Sequence, residues 1–225
     1  PDTAGAQEGR VDVLASSING DYTTMRLSVE LTAEQENVCA MSGTATSGPL
    51  TAPAAYQVAA PFGADIGGAS PAFFAIANNE ALGYSEFDSW LTIGVTDGGA
   101  VGAISASPGF DIASMWTEDI PLSQPNGAVF YMDPTTGPGG SDPIVLMQVT
   151  MPSANMVAGE TMATGTLQGR TLNGGDDWQG QIMVWKYPSG PAPPAPPPPP
   201  PVVDCQGSWS VCTVACEAAP DRTWT

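Results

Sequence analysis

Apolar and polar residues alternate through Met25-Arg26-Leu27-Ser28-Val29-Glu30-Leu31. A period of two marks a strand with one buried face. The pair Asn19-Gly20 stands just before it. Both central positions of a tight hairpin turn need positive φ, which Asn and Gly tolerate. The pattern predicts a β-hairpin over residues 11–31. Further strands are expected at NVCAMSGTA (37–45), at Ala55–Ala60, and at Ser89–Thr96, the clearest central strand, closed by Asp97-Gly98. MWTEDI (115–120) reads as an edge strand. AVFYM follows a second Asn-Gly pair at Asn126-Gly127, and PIVLMQVTM follows the loop 133–142. TMATGTLQG (161–169) and WQGQIMVWKY (178–187) flank a third pair, Asn173-Gly174. SPAFFAIAN (70–78) is apolar and short. No segment sustains apolar residues at i, i+3 and i+4, so helix should be scarce. Short strands with turn signals between them are the signature of an all-β fold, an antiparallel sandwich or jelly-roll-like head. It would occupy residues 11–188, after a small polar linker at 1–10.

The alternation stops at PAPPAPPPPPP, residues 191–201. Proline fixes φ and lacks an amide donor, so this run joins neither a helix nor the middle of a sheet. It is expected to be a polyproline II rod, about 3.1 Å per residue and roughly 34 Å when extended. The rod would span 189–204 and lead into a small disulfide-tied tail at 205–225.

Charge changes the picture more than apolar content does. The chain carries 23 acidic residues against 5 basic ones, no histidine, and a formal net charge of −18. Nucleic acids and anionic membranes need a basic surface, so both are excluded as partners. No apolar run is long enough to span a bilayer as a helix. The chain opens at Pro1 without an initiator Met, which suggests a processed or partial polypeptide. The four cysteines are Cys39, Cys205, Cys212 and Cys216. Their crowding at the tail favours disulfides and an extracellular, secreted setting. Zinc-ribbon spacing is absent and no His completes a site. Three tail cysteines cannot all pair among themselves. Cys39, a further segment or a neighbouring chain must supply a partner, although Cys39 could equally be a small buried hydrophobe.

In the tail, Trp209-Ser210, Cys212-Thr213, Cys216, Arg222 and Trp224 stand in the order W-S-x-C-T-x-x-C followed by a basic residue. This resembles the first half of a thrombospondin type 1 repeat, over about twenty residues. The resemblance implies stacking of Trp209 on Arg222, a cation–π layer, capped by disulfides. Ala215 stands where that family carries an O-fucosylated Ser or Thr, and the second half of the repeat is absent. The layout of head, rod and tail resembles hydroxyproline-rich secreted glycoproteins of algae and protists, of the cell-wall or mastigoneme type. That likeness implies hydroxylation and covalent O-glycans at Pro193, Pro194, Pro196, Pro197, Pro198, Pro199 and Pro200. N-x-[ST] sequons are absent.

The absence of His removes Ser-His and Cys-His nucleophiles and His-ligated zinc. There is no phosphate-binding P-loop and no dinucleotide fingerprint. The carboxylate pairs are Glu86 with Asp88, Glu118 with Asp119, and Asp176 with Asp177. Adjacent acids on a strand point to opposite faces, so the last two make poor catalytic pairs. No enzyme is expected. Calcium is the candidate cofactor, because hard oxygen ligands suit it. Asp133 and Asp142 bracket a Gly-rich loop, and Asp176-Asp177 follow Gly174-Gly175. Turn formation is the plainer use of these Asp residues. For sugar binding, Trp178 is the candidate, while Trp90 and Trp185 lie in apolar strands and belong to the core. The expected function is a structural subunit of an extracellular filament or matrix, a homo-oligomer or polymer. A carbohydrate-binding module on a stalk and a cell-adhesion ectodomain are the rivals. Intact mass of the native material tests the rod chemistry. Additions of about 16 Da per hydroxyl and about 132 or 162 Da per pentose or hexose are expected on residues 191–201, and an unmodified mass would contradict them.

Overall fold

The computed structural model describes residues 5–99, 102–174 and 176–189. Contacts divide the chain into a unit of residues 1–195 and a unit of residues 196–225, and the described residues belong to the first. The strands are β1 (Gln7–Glu8), β2 (Arg10–Ser17), β3 (Tyr22–Val29), β4 (Ala40–Gly43) and β5 (Leu50–Ala52). Helix α1 (Pro71–Ala77) and the strands β6 (Asn78–Asn79), β7 (Gly83–Tyr84), β8 (Trp90–Leu91) and β9 (Ile104–Ala106) follow. Then come α2 (Ile112–Met115), β10 (Leu122–Gln124), β11 (Gly127–Tyr131), β12 (Ile144–Pro152), β13 (Thr161–Gly169) and β14 (Trp178–Lys186). The chain is all-β in character, with two short helices among the described residues. Neither helix is long and apolar enough to cross a membrane.

The larger sheet has eight strands in the order β1-β14-β13-β4-β11-β9, with β5 pairing both β13 and β10. The second sheet is β2-β3-β12-β8, antiparallel throughout. The β2–β3 hairpin is present as the alternation predicted, and Asn19 and Gly20 hold φ of +61° and +83° in its turn. Strands β4, β13 and β14 fall within predicted segments, and β11 and β12 overlap theirs to within one residue at an end. Both sheets feed one apolar core. Met25, Leu27, Leu146 and Val149 of the second sheet join Met41, Val129, Leu167 and Met183 of the larger one.

Trp185 ties the two sheets. It lies in β14, is fully buried, and its indole N–H donates to the Ser28 carbonyl of β3 at 2.9 Å. A buried indole N–H left unpaired would be costly, so this bond fixes how the sheets meet at that point. The chain crosses from one sheet to the other at Gly9, between β1 and β2. A Cβ on Gly9 would lie 2.1 Å from the Trp185 indole nitrogen. Glycine is therefore the residue that lets the backbone pass over the ring.

Several expectations are corrected. Residues 7–10, assigned to a linker, are in the sheets: β1 pairs in parallel with β14, and Arg10 opens β2. Ser89–Thr96 is not a long strand. Only Trp90 and Leu91 ladder with β12, because the Thr92 hydroxyl accepts from the Val95 N–H at 3.1 Å and turns the chain, with Gly94 at φ +75°. MWTEDI is not an edge strand. It begins at the last residue of α2, and Trp116 is buried with its indole N–H on the Pro53 carbonyl at 2.7 Å. Ala55–Ala60 runs without strand pairing. SPAFFAIAN forms α1, with Pro71 at its first turn, where a missing N–H costs nothing.

A Gly9→Ala variant should lose about 1–3 kcal/mol of stability through overpacking against Trp185. Urea unfolding followed by tryptophan fluorescence measures this, and an unchanged midpoint would refute the crossing constraint.

Candidate functional site

Charge is distributed unevenly over the two sheets. Among the residues of all strands in the larger sheet, only Glu8 and Lys186 are charged. They neutralise each other at one edge, Lys186 Nζ to Glu8 Oε2 at 2.7 Å. Alternation sets which side chains leave the core. In β13, Leu167 is buried in the core while Thr164, Thr166 and Gln168 take the opposite face. In β11, Val129 points inward and Ala128 and Phe130 outward. Ser42 of β4 pairs with both Thr166 and Ala128, and Ser105 of β9 pairs with Phe130. The face turned from the core is thus neutral: hydroxyls, amides and apolar groups.

A groove of about 430 Å³ runs across this face between loop 44–48 and strands β13 and β14. The loop is closed by paired backbone bonds, Thr44 N to Gly48 O at 2.9 Å and Gly48 N to Thr44 O at 3.0 Å. Its hydroxyls form a chain: Thr166 donates to Ser47 at 2.6 Å, Ser47 meets Thr44 at 2.5 Å, and Thr44 meets Thr46 at 3.2 Å. Ser42, Gln168, Gln179, Gly180 and Ile182 also line it. Sequence reasoning passed over these residues. TMATGTLQG was expected as a strand, but nothing marked its polar side as a site or loop 44–48 as its cover.

A second cavity, about 420 Å³, lies at loop 57–65 and is lined in part by Gln57, Ala64 and Asp65. Asp88 holds this loop. Its buried carboxylate accepts from Val58 N at 2.8 Å and from Ala64 N at 2.7 Å. Burial is the main cause that pushes Asp88 up to about 7, against the pull of the backbone N–H groups. Asp65 is also raised, by burial and then by the nearby Asp111 charge.

The expected site residues do not converge. Trp178 is half-buried against the core, and its indole N–H donates to the Arg170 carbonyl at 3.0 Å, so its ring serves packing. Asp133 accepts from the Thr135 N–H at 2.9 Å and hydroxyl at 2.7 Å, which caps a turn and holds its carboxyl below the usual range. Asp142 and Asp176 are exposed, and Asp177 faces Arg170 at 3.5 Å. Among the described residues no group of three or more Asp, Glu, Cys or His is placed to hold a metal ion. Glu86 is exposed on Asn78 while Asp88 is buried, so that pair does not share a space. Glu118 is bonded by the Tyr22 hydroxyl, which is pushed up to about 12 chiefly by that bond. Cys39 is buried, and burial pushes its thiol up; the tail cysteines expected as its partners lie outside the described residues. Trp90 and Trp185 are in the interior, as expected, and Trp116 joins them. Cys205, Cys212, Cys216, Trp209, Arg222 and the rod prolines 193, 194 and 196–200 lie outside the described residues.

The chain matches no protein-family model, no curated protein and no solved structure.

Asp88 gives a pH signature. Its folded value lies above the ordinary carboxylate value, so its contribution to stability is complete below about pH 4 and is lost as pH rises through about 7. The loss should be about 1.4 kcal/mol for each unit of displacement. Surface repulsion is common to wild type and Asp88→Asn, so the difference between their urea midpoints isolates the effect. Wild type should lose more stability between pH 4 and pH 8 than the variant. Parallel curves would contradict the assignment.

Proposed function

We propose that the chain is a structural subunit of an extracellular glycoprotein filament or matrix. Its head is a sandwich of the two sheets. Its Pro-rich segment, 189–204, is a polyproline II spacer carrying O-glycans, and residues 205–225 form a disulfide-tied, thrombospondin type 1-like tail. The observation that carries this reading is the neutral face of the larger sheet. The strands beneath it contain one acid and one base, which cancel, in a chain of net charge −18. Copies of so acidic a protein repel one another over most of their surface. On a neutral face, copies can approach without stripping water from buried charges, which is the costly part of forming an interface. Hydroxyl and amide side chains supply hydrogen bonds there in place of ion pairs. A stiff spacer then sets the distance between heads at little ordering cost.

The test places acid on the face at two positions that do not line the groove. Full-length wild type should assemble in oxidising, calcium-containing buffer, as followed by light scattering and sedimentation. Ser105→Glu combined with Ala128→Glu should abolish assembly while the unfolding midpoint stays within about 0.5 kcal/mol of wild type. A monomeric wild type, or a variant that assembles as well as wild type, would sink the proposal.

A further inference from the structure

The groove on the neutral face has a lining unlike that of its neighbours. The cavity at loop 57–65 holds Asp65, and the cavity near the β1–β14 edge holds Glu8 and Lys186. The groove at loop 44–48 is lined by serine, threonine and glutamine, with Gly180 and Ile182 as its apolar part, while the Leu167 beneath it is buried in the core. From this lining we infer that the groove is a binding site for a neutral saccharide of one or two rings.

The chemistry follows from the groups present. A sugar hydroxyl is both donor and acceptor, and its best partners are other hydroxyls and the two-ended amide of glutamine. The chain Thr166–Ser47–Thr44–Thr46 can adjust its protons to suit either role, because each member is a rotating hydroxyl. Thr46 ends that chain and is exposed, so its hydroxyl meets an incoming ligand first. Gln179, also exposed, presents an amide from the opposite wall. Ile182 offers methyl groups to the C–H face of a ring. Gly180 has no side chain, and even a Cβ there would meet nothing within 4 Å, so the approach is open. The volume of about 430 Å³ lies in the range of small-molecule sites.

The same lining selects against other ligands. A phosphate or carboxylate finds no cation in the groove and is repelled by the acidic chain around it. An ammonium or metal ion finds no carboxylate in the lining. A planar aromatic ligand finds no aromatic ring to stack on. The same lack of a stacking platform makes the site weak, with a dissociation constant of about 1 mM for a single ligand. Weak sites of this kind act by number, which an assembly of many heads supplies. Two sources offer the ligand, a glycan on a second copy of this chain and a free neutral polysaccharide.

Full-length protein made in bacteria, without glycans, is the first arm of the test. Titrated with arabinotriose and with galactotriose, it should show saturation transfer to at least one of them. Amide shifts should be confined to residues 44–48, 166–168 and 179–182. Glucuronic acid and inorganic phosphate should bind at least tenfold more weakly. Thr46→Val with Gln179→Ala changes two exposed side chains and should weaken trisaccharide binding about tenfold with an unaltered amide spectrum elsewhere. Absence of binding by either trisaccharide at tens of millimolar, equal binding by the double variant, or equal binding of glucuronic acid would overturn the site. Natively glycosylated protein is the second arm. Groove amides that shift with protein concentration and revert on enzymatic deglycosylation assign the ligand to a second copy. A groove that stays free until trisaccharide is added assigns it to a separate polysaccharide. Assembly is read with Ser105 and Ala128 and sugar binding with Thr46 and Gln179, so either can fail while the other stands.

Discussion

Twenty-three carboxylates on one chain repel each other, and the fold must place them where water can screen them. The larger sheet meets that constraint by leaving all but one of them out of its strands. Among the described residues, turns, loops and the outer hairpin take the others. Arg10 at that hairpin faces both Asp12 and Glu30, a surface pairing worth little to stability by itself. The consequence is a protein with two kinds of surface. One kind is acidic and keeps copies apart, and the other is neutral and permits approach.

In the interior, several buried polar groups take partners that also link elements. Trp185 bonds Ser28 across the two sheets, and Gly9 exists to let the chain pass that ring. Gln148 accepts from Arg26 and donates to the carbonyls of Glu86 and Asp88, while Asp88 pins the loop above it. Arg26 also sits 5.7 Å from the centre of the Trp90 ring. These contacts join β3, β12 and the segment around β8 into one framework.

Much of this was legible in the residues. The alternation from Met25 to Leu31 and the Asn19-Gly20 pair specify the hairpin, because period and turn agree. Where they did not agree, the reading failed. Ser89–Thr96 is apolar enough for a strand, yet one hydroxyl at Thr92 bonding three residues on ends it. PAFFAIA has no polar face, so its period could not separate helix from strand. Trp178, singled out for the two acids beside it, is partly buried, with its indole N–H on a carbonyl and its ring against the core. The groove was beyond reach because its hydroxyl chain joins Ser47 to Thr166, 119 residues apart. Pairing of β4 and β5 with β13 brings them together.

The claim that copies meet through a neutral face has a sign that salt can read. Sedimentation velocity of the full-length chain, with a calcium chelator present, should be measured as sodium chloride rises from about 0.01 M to about 0.5 M. Over that range the screening length falls from about 30 Å to below 8 Å. Contact through an uncharged face predicts that association strengthens, because salt removes the repulsion between acidic surfaces and weakens nothing in the contact itself. Association that weakens steadily over the same range would mean that charged groups make the contact, and the account would be wrong.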